Sequence, residues 1–279
     1  MKVSIIIPTY NRCQQLKQVI SSFLTQNYNN YEIIIIDDHS TDDTFSLLKD
    51  ITEPRIKYVR LEKHVGSSIA RNFGCSKSDS ELILMSDDDM PVSSTYLDAM
   101  VSCFNKYNYS TIFGRIIKIE SINEFGKNYE KIGYPISISK WTGDIKNNYD
   151  VSGDEVEIPI GHGCMLLKKE WFDQVGGYNN FPVNGIREES DFCLRLKKVG
   201  IRLIYNPNAI IYHLNTTKGG QRMSSGTFRY WGYRNHFKFL INNFGIKSVF
   251  MSAFFLFNNI LWRDTIRKNL SIFKKKGFL

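Results

Sequence analysis

Cysteine is sparse and scattered. Cys13, Cys75, Cys103, Cys164 and Cys193 stand singly, with no CxxC pair and no Cys/His finger spacing. An odd, dispersed set excludes a disulfide framework and a structural zinc site, and points to a reducing compartment. Long apolar runs are also missing. A spanning helix needs about 20 apolar residues, whereas Val249 to Phe257 is hemmed in by Lys247, Asn258, Asn259 and Arg263. Near the N-terminus only Val3 to Ile7 precede Pro8, too short for the apolar core of a signal peptide, so a cytoplasmic protein is expected. No GxGxxG follows the first apolar run and no Walker A sequence occurs, which disfavours dinucleotide oxidoreductases and P-loop enzymes. Internal repeats and low-complexity tracts are absent too.

What is present is ordinary globular composition, 42% hydrophobic and 23% charged, over a length that suits one large domain or one domain plus an extension. The formal net charge of +8 suits a polyanionic partner, and nucleotide diphosphates, anionic lipid and nucleic acid all qualify.

The chain alternates. Val3 to Ile7 and Glu32 to Ile36 read as strands buried on both faces, and between them Leu16, Val19, Ile20, Phe23 and Leu24 mark one face of a helix. Ser40 and Asp43 stand at capping-box spacing, Ile56 to Leu61 and Leu82 to Met85 read as strands, and Ser67 to Cys75 reads as a helix. A further helix carries Leu97, Met100, Val101 and Phe104, and Glu188 to Val199 is a helix closed by Gly200. This order predicts an α/β fold with a doubly wound, mainly parallel sheet flanked by helices. Asp37-Asp38 and Asp87-Asp88-Asp89 both follow strands, where ligands of such sheets bind, so one shared crevice is expected.

Three adjacent carboxylates repel one another unless a cation offsets them, and hard oxygen ligands suit Mn2+ or Mg2+. The plainer alternative is a solvated turn. Asp37-Asp38 could accept hydrogen bonds from a base or ribose, or act as turn acids; Glu188-Glu189 could complement a helix dipole, or supply a general base. His213 alone reads as a structural histidine.

Taken in order, the segments resemble the family 2 glycosyltransferases. The resemblance rests on Val3-Ser4-Ile5-Ile6-Ile7-Pro8-Thr9-Tyr10-Asn11-Arg12, on Asp37 to Asp42, on Gly66 to Gly74, on Ser86 to Pro91, on Val175-Gly176-Gly177-Tyr178 and on Arg187 to Leu196, so that it covers about residues 3–213. It implies the GT-A fold, with residues 1–92 as nucleotide-binding half, 93–215 as acceptor-side half and 216–279 as a C-terminal helical extension. It also implies an inverting, divalent-metal-dependent transfer from a nucleotide-diphosphate sugar, UDP-sugar favoured, to an acceptor hydroxyl of a glycan or lipid-linked intermediate. A non-catalytic nucleotide-sugar or glycan-binding protein on the same fold is the alternative.

Carried over by position, Pro8, Tyr10, Asp38 and Arg71 contact the nucleotide, with Asp37 the alternative to Asp38. Asp88 and Asp89 fall at the metal-binding end of the DXD segment, His213 at the late metal ligand, and Glu189 at the catalytic base. Two departures stand out. Counting back from Pro91 puts Ser86 at the first acidic position, which leaves Asp87-x-Asp89 as a second register and Asp87 as a donor-side residue in the first. Glu189 also replaces the usual aspartate, one methylene longer.

The tail is aromatic and basic. Phe228 to Lys238 mixes both residue types as a nucleic-acid surface would, but the apolar run after it favours lipid, so no nucleic acid partner is expected. With Lys268, Lys274, Lys275 and Lys276, the run at 249–257 reads either as an interfacial helix on an anionic membrane surface, hence peripheral on the inner membrane face, or as a core or oligomer contact.

Overall fold

Apolar runs bounded by polar loops produce a mixed sheet between helices. The structure is a computed structural model, and it describes residues 1–119, 136–139, 145–181, 187–214 and 225–253. In chain order the elements begin β1 (Val3–Thr9), α1 (Cys13–Leu24), β2 (Tyr31–Asp37), α2 (Thr44–Leu48), β3 (Ile56–Arg60), α3 (Ser67–Ser76), β4 (Leu82–Met85), α4 (Tyr96–Lys106) and β5 (Ser110–Ile119). They continue with β6 (Ile136–Ile138), β7 (Ile145–Asn147), β8 (Val156–Glu157), β9 (Met165–Lys168), α5 (Lys169–Gln174), α6 (Glu188–Lys198), β10 (Arg202–Leu214) and α7 (Ser225–Phe244).

Eight strands form one sheet in the order β3-β2-β1-β4-β9-β5-β10-β8, and β6 pairs with β7 apart from it. β1 pairs in parallel with β2 and β4, β2 with β3, and β5 with β10, while β9 runs antiparallel between β4 and β5. The continuous apolar pattern of β1 and β2 follows from burial on both faces: Ile5, Ile6, Ile7 and Ile33 to Ile36 are fully inaccessible. Each such side chain contributes about 1.5–3 kcal/mol on burial. The predicted face of α1 is the buried one, with Leu16, Val19, Ile20 and Phe23 against the sheet.

The expected capping box does not form. Asp42 Oδ1 accepts the Thr44 N–H at 3.1 Å at the start of α2, whereas Ser40 Oγ accepts the Asn11 N–H at 3.0 Å. Ser40 is drawn away from the helix because its loop is tied to the one that leaves β1.

Beyond β10, α7 places Phe239 and Leu240 in the core, and Asn243 Nδ2 donates to Asp191 Oδ1 at 2.9 Å on α6. Of the apolar run at 249–257, residues 249–253 are helical; its remainder and Lys268, Lys274, Lys275 and Lys276 lie outside the described residues. Among the described residues no helix is long and apolar enough to cross a membrane.

At the end of the sheet opposite the strand carboxyl ends, Glu32 on β2 is only 5% exposed. Ser4 Oγ donates to it at 2.6 Å, and Lys2 and Lys57 lie 3.1 and 2.8 Å away. Burial alone would raise this carboxyl, but hydrogen bonds from Lys57, Ser4 and Lys2 override it and hold the pKa at about 2. A carboxylate with a depressed native pKa contributes stability above its unfolded value, and that stability is lost as pH falls through the native one. Glu32→Gln is therefore expected to flatten the loss of stability between about pH 4.5 and 2 in urea titrations; an unaltered acid limb would refute this role.

Candidate active site

The carboxyl ends of β1, β2 and β4 open onto a cleft of about 260 Å³, and the residues that line it come from distant parts of the chain. Pro8, Thr9, Tyr10 and Arg12 arrive from β1 and the turn after it, Asp38 from the end of β2, and Ser67 and Arg71 from α3. Asp87, Asp88, Asp89 and Met90 follow β4, Glu188 and Glu189 open α6, and His213 closes β10. Every expected site residue but one lines this cleft.

The exception is Asp37. Its carboxylate is fully buried, where it accepts the Ser40 N–H at 2.8 Å and the Tyr58 hydroxyl at 2.8 Å. It braces the loop after β2. Asp38 faces the cleft, with its oxygens accepting the Val65 and Gly66 N–H groups at 2.7 and 2.8 Å and His64 Nδ1 2.8 Å away. His64 also stacks on Tyr10, centroids 4.2 Å apart. A lone histidine in a loop gave no signal of this in the sequence.

The acidic triplet divides its partners. Arg71, on α3, donates to Asp87 and lies 3.8 Å from Glu189 Oε1, so one guanidinium spans the gap between the β4 loop and α6. Burial opposes the charges on Arg71 and Asp87, but their mutual attraction outweighs it, so the arginine is raised and the aspartate lowered. Arg12 Nη1 stands 2.7 Å from both Asp88 Oδ1 and Asp89 Oδ2. Thr9 Oγ1 adds a hydrogen bond to Asp88 at 2.9 Å. Even so, burial and the neighbouring Asp89 push Asp88 up to about 6. Nothing in the spacing of Arg12 revealed this role.

Glu189 lies deep in the cleft yet keeps 27% side-chain exposure. Burial, reinforced by Glu188 and Asp87 and only partly offset by Arg71, pushes its carboxyl up to about 8. The residue before the helix, Arg187, is left-handed at φ 77°, a sparsely populated conformation that sets the angle at which the two glutamates enter the site. Asp191, two residues on, does not line the cleft. It accepts from Asn179 and Arg195 at 2.8 and 2.9 Å and ties α6 in place.

His213 Nε2 is 3.7 Å from Asp89 Oδ2. The pairing is fixed by the backbone, because the Leu214 N–H donates to the Asp89 carbonyl at 3.0 Å and the Tyr212 N–H to the Pro91 carbonyl at 2.8 Å.

The model of the family described as "Glycosyl transferase family 2" matches residues 4–176, more than half of the chain. The chain belongs to glycosyl transferase family 2. Glu189 and His213 lie beyond the matched segment, so the fold must supply their placement. An "Uncharacterized glycosyltransferase" of Rickettsia bellii is 32% identical over 194 residues, 69% of this chain and 26% of that protein. The "GalNAc(5)-diNAcBac-PP-undecaprenol beta-1,3-glucosyltransferase" of Campylobacter jejuni is 31% identical over 135 residues, 47% of this chain and 43% of that one. The chain thus spans between about a quarter and a half of these relatives. Among solved structures, GalNAc-T7 with UDP, GalNAc and Mn2+ superposes at a TM-score of 0.69 with 17% identity, covering 86% of this chain and 47% of that one. The shared architecture is the GT-A fold.

Among the described residues, no three His, Cys, Asp or Glu side chains converge as a finished metal cage. The donor set nevertheless suits a hard cation. Mg2+ and Mn2+ need only one or two carboxylates when water and phosphate oxygens complete the shell. Asp88 and Asp89 already flank one cationic atom, Arg12 Nη1, with His213 beside Asp89. Arg12 Nε is buried without a hydrogen-bond partner, so its guanidinium is only partly satisfied there. Arg12→Met is expected to destabilise the metal-free protein by about 3 kcal/mol, as for a broken buried ion pair, and to enlarge the rise in Tm that Mn2+ produces. Thermal melts with and without Mn2+ test both effects; equal melting behaviour in the two proteins would exclude competition between arginine and cation.

Proposed function

We propose that this chain transfers a sugar from a nucleotide-diphosphate sugar, UDP-sugar favoured, to an acceptor hydroxyl with inversion at the anomeric carbon. One observation carries the reading: Glu189, the acidic triplet and the nucleotide-side residues line one cleft, with Arg71 between Asp87 and Glu189. Pro8 and Tyr10 offer the base an apolar edge and an aromatic face. Asp38 retains acceptor capacity for a base or ribose beyond the two N–H groups it already binds. Asp88, Asp89 and His213 hold Mn2+ or Mg2+, which, when bound, offsets the charge that builds on the departing diphosphate.

The need for a cation follows from the count of charges. Among the described residues, Asp38, Asp87, Asp88, Asp89 and Glu188 line the cleft beside the raised Glu189, against Arg12 and Arg71. A diphosphate brought alone into such a field would be repelled.

Glu189 takes the acceptor hydroxyl proton while that oxygen attacks the anomeric carbon from the side opposite the diphosphate. The bond to the diphosphate oxygen breaks, its electron pair leaves with the nucleotide, and the proton passes from Glu189 to solvent. Arg71 keeps the Glu189 carboxyl pointed into the cleft. The acceptor class is a glycan or a lipid-linked sugar, as the name of the Campylobacter jejuni relative gives for that enzyme. Exposed Tyr230, Tyr233, Ile246 and Phe250 favour contact of the extension at 216–279 with an anionic membrane surface from the cytoplasmic side.

General-base catalysis contributes about 10²–10⁴-fold, so Glu189→Gln is expected to lower turnover by about that factor with donor affinity little changed. Transfer assays over a panel of nucleotide sugars with Mn2+, paired with calorimetry, test this. Full turnover in the mutant would remove the assignment. The base must be ionised to work, and its carboxyl sits at about 8, so kcat/KM should rise with pH and level off above about 8. A flat profile from pH 6 to 9 would contradict it.

A further inference from the structure

Glu189 rests on the backbone of a neighbouring loop. A methyl group built on Gly163 would overlap Glu189 Oε1 and crowd its carboxyl carbon. The Gly163 N–H donates to that carboxylate, a contact that favours its charged form. A side chain at Gly163 would therefore push the Glu189 carboxylate out of its present position, and the glycine leaves it room.

What fixes Gly163 is the residue before it. His162 is 6% exposed, wedged edge-on between the rings of Phe113 and Tyr149, with centroids at 5.5 and 4.7 Å. Its Nε2 lies 2.9 Å from the Gly114 carbonyl and its Nδ1 is 3.2 Å from the Cys164 amide. A carbonyl can only accept and an amide N–H only donate, so the ring is neutral, with the proton on Nε2. Burial, against the pull of the Gly114 carbonyl, drives its pKa down to about 4, which keeps that form across the working range. The imidazole thereby pins the loop on both sides of Gly163, to β5 through Gly114 and to its own chain through Cys164.

Resting on the reading of Glu189 as the base, we propose that Gly161-His162-Gly163 is a bracket that aims it. Gly163 supplies the amide, and His162 is a positioning residue that never touches substrate. Gly161 belongs to the same device, since a methyl there would run into the Phe113 ring that packs on His162.

The test uses His162→Leu, His162→Asn and Glu189→Gln in the full chain, with transfer kinetics, UDP and Mn2+ calorimetry, and the carboxyl titration of Glu189 in 13C-glutamate-labelled protein. His162→Leu is expected to lower kcat on the order of 10²-fold, the effect of a misplaced reacting group, with KM for the donor and UDP binding unchanged. The Glu189 titration should move to higher pH, because a lost N–H donor disfavours the charged form. His162→Asn retains an acceptor for the Cys164 amide and should recover part of both effects. Unchanged kcat and an unchanged Glu189 titration in folded His162→Leu overturn the bracket, as does a parallel loss of UDP binding, which marks a general structural role. Should His162→Leu not fold, the same readouts on His162→Asn decide: a wild-type titration and kcat overturn the proposal. Glu189→Gln separates the two claims. If it keeps full turnover the base reading fails, and the titration still reports on the bracket. If it loses turnover while His162→Leu does not, only the bracket fails.

Discussion

The structure depends on two arginines that hold a crowd of carboxylates together. Arg71 couples the loop after β4 to the first turn of α6, and Arg12 couples the turn after β1 to the second and third acids of the triplet. Unit charges about 4 Å apart attract by about 4 kcal/mol at the dielectric typical of a partly buried site. Removed from water, neither set of acids could sit where it does without a guanidinium between them. The overall charge of +8 hides this, because the cleft itself is acid-rich while the chain is basic. Such a local excess of acid is a field that a bound cation would offset.

That arrangement needs a rigid frame. The strands that deliver the site are buried on both faces, and the loops at their ends are fastened by short polar contacts rather than left to solvent: Asp37 to Ser40 and Tyr58, Asn11 Oδ1 to the Thr41 N–H at 2.7 Å, and Asp38 to Val65 and Gly66. Left-handed Asn11 and His39, at φ 55° and 65°, fall in these same loops, and Arg187, at φ 77°, stands directly before α6. Non-glycine residues hold that conformation where the surroundings over-determine it, and three of the four among the described residues, all but Tyr109, stand beside the cleft. Glu189 is held likewise, with an arginine on one side and a side-chain-free backbone on the other.

Much of the fold was legible in the residues, because burial on two faces and burial on one leave different periodicities. Val3 to Ile7, Glu32 to Ile36 and Leu82 to Met85 lie within β1, β2 and β4, and the apolar stripe from Leu16 to Phe23 is the buried face of α1. Contacts between distant loops were not legible. Ser40 had the spacing of a helix cap but serves Asn11, while Asp42 accepts the Thr44 N–H at the start of α2. His64 and His162 stood in the sequence without a pattern, and Arg12 only closed the opening motif with no role attached, since a side chain takes its role from what lies across from it.

By itself the sequence determined the alternation of strands and helices and set acids immediately after two of those strands, because these are local consequences of hydrophobic spacing and turn chemistry. Its motif order also carried the family. Only the tertiary structure decided which acid of each pair faces the cleft: Asp38 lines it, while Asp37 turns into the protein. It likewise decided that Arg71 spans two acids more than a hundred residues apart in the chain, and that Glu189 lies against Gly163. Adjacent residues on a strand point to opposite sides, and which side is the cleft depends on what packs over the sheet, a fact that no local stretch of chain contains.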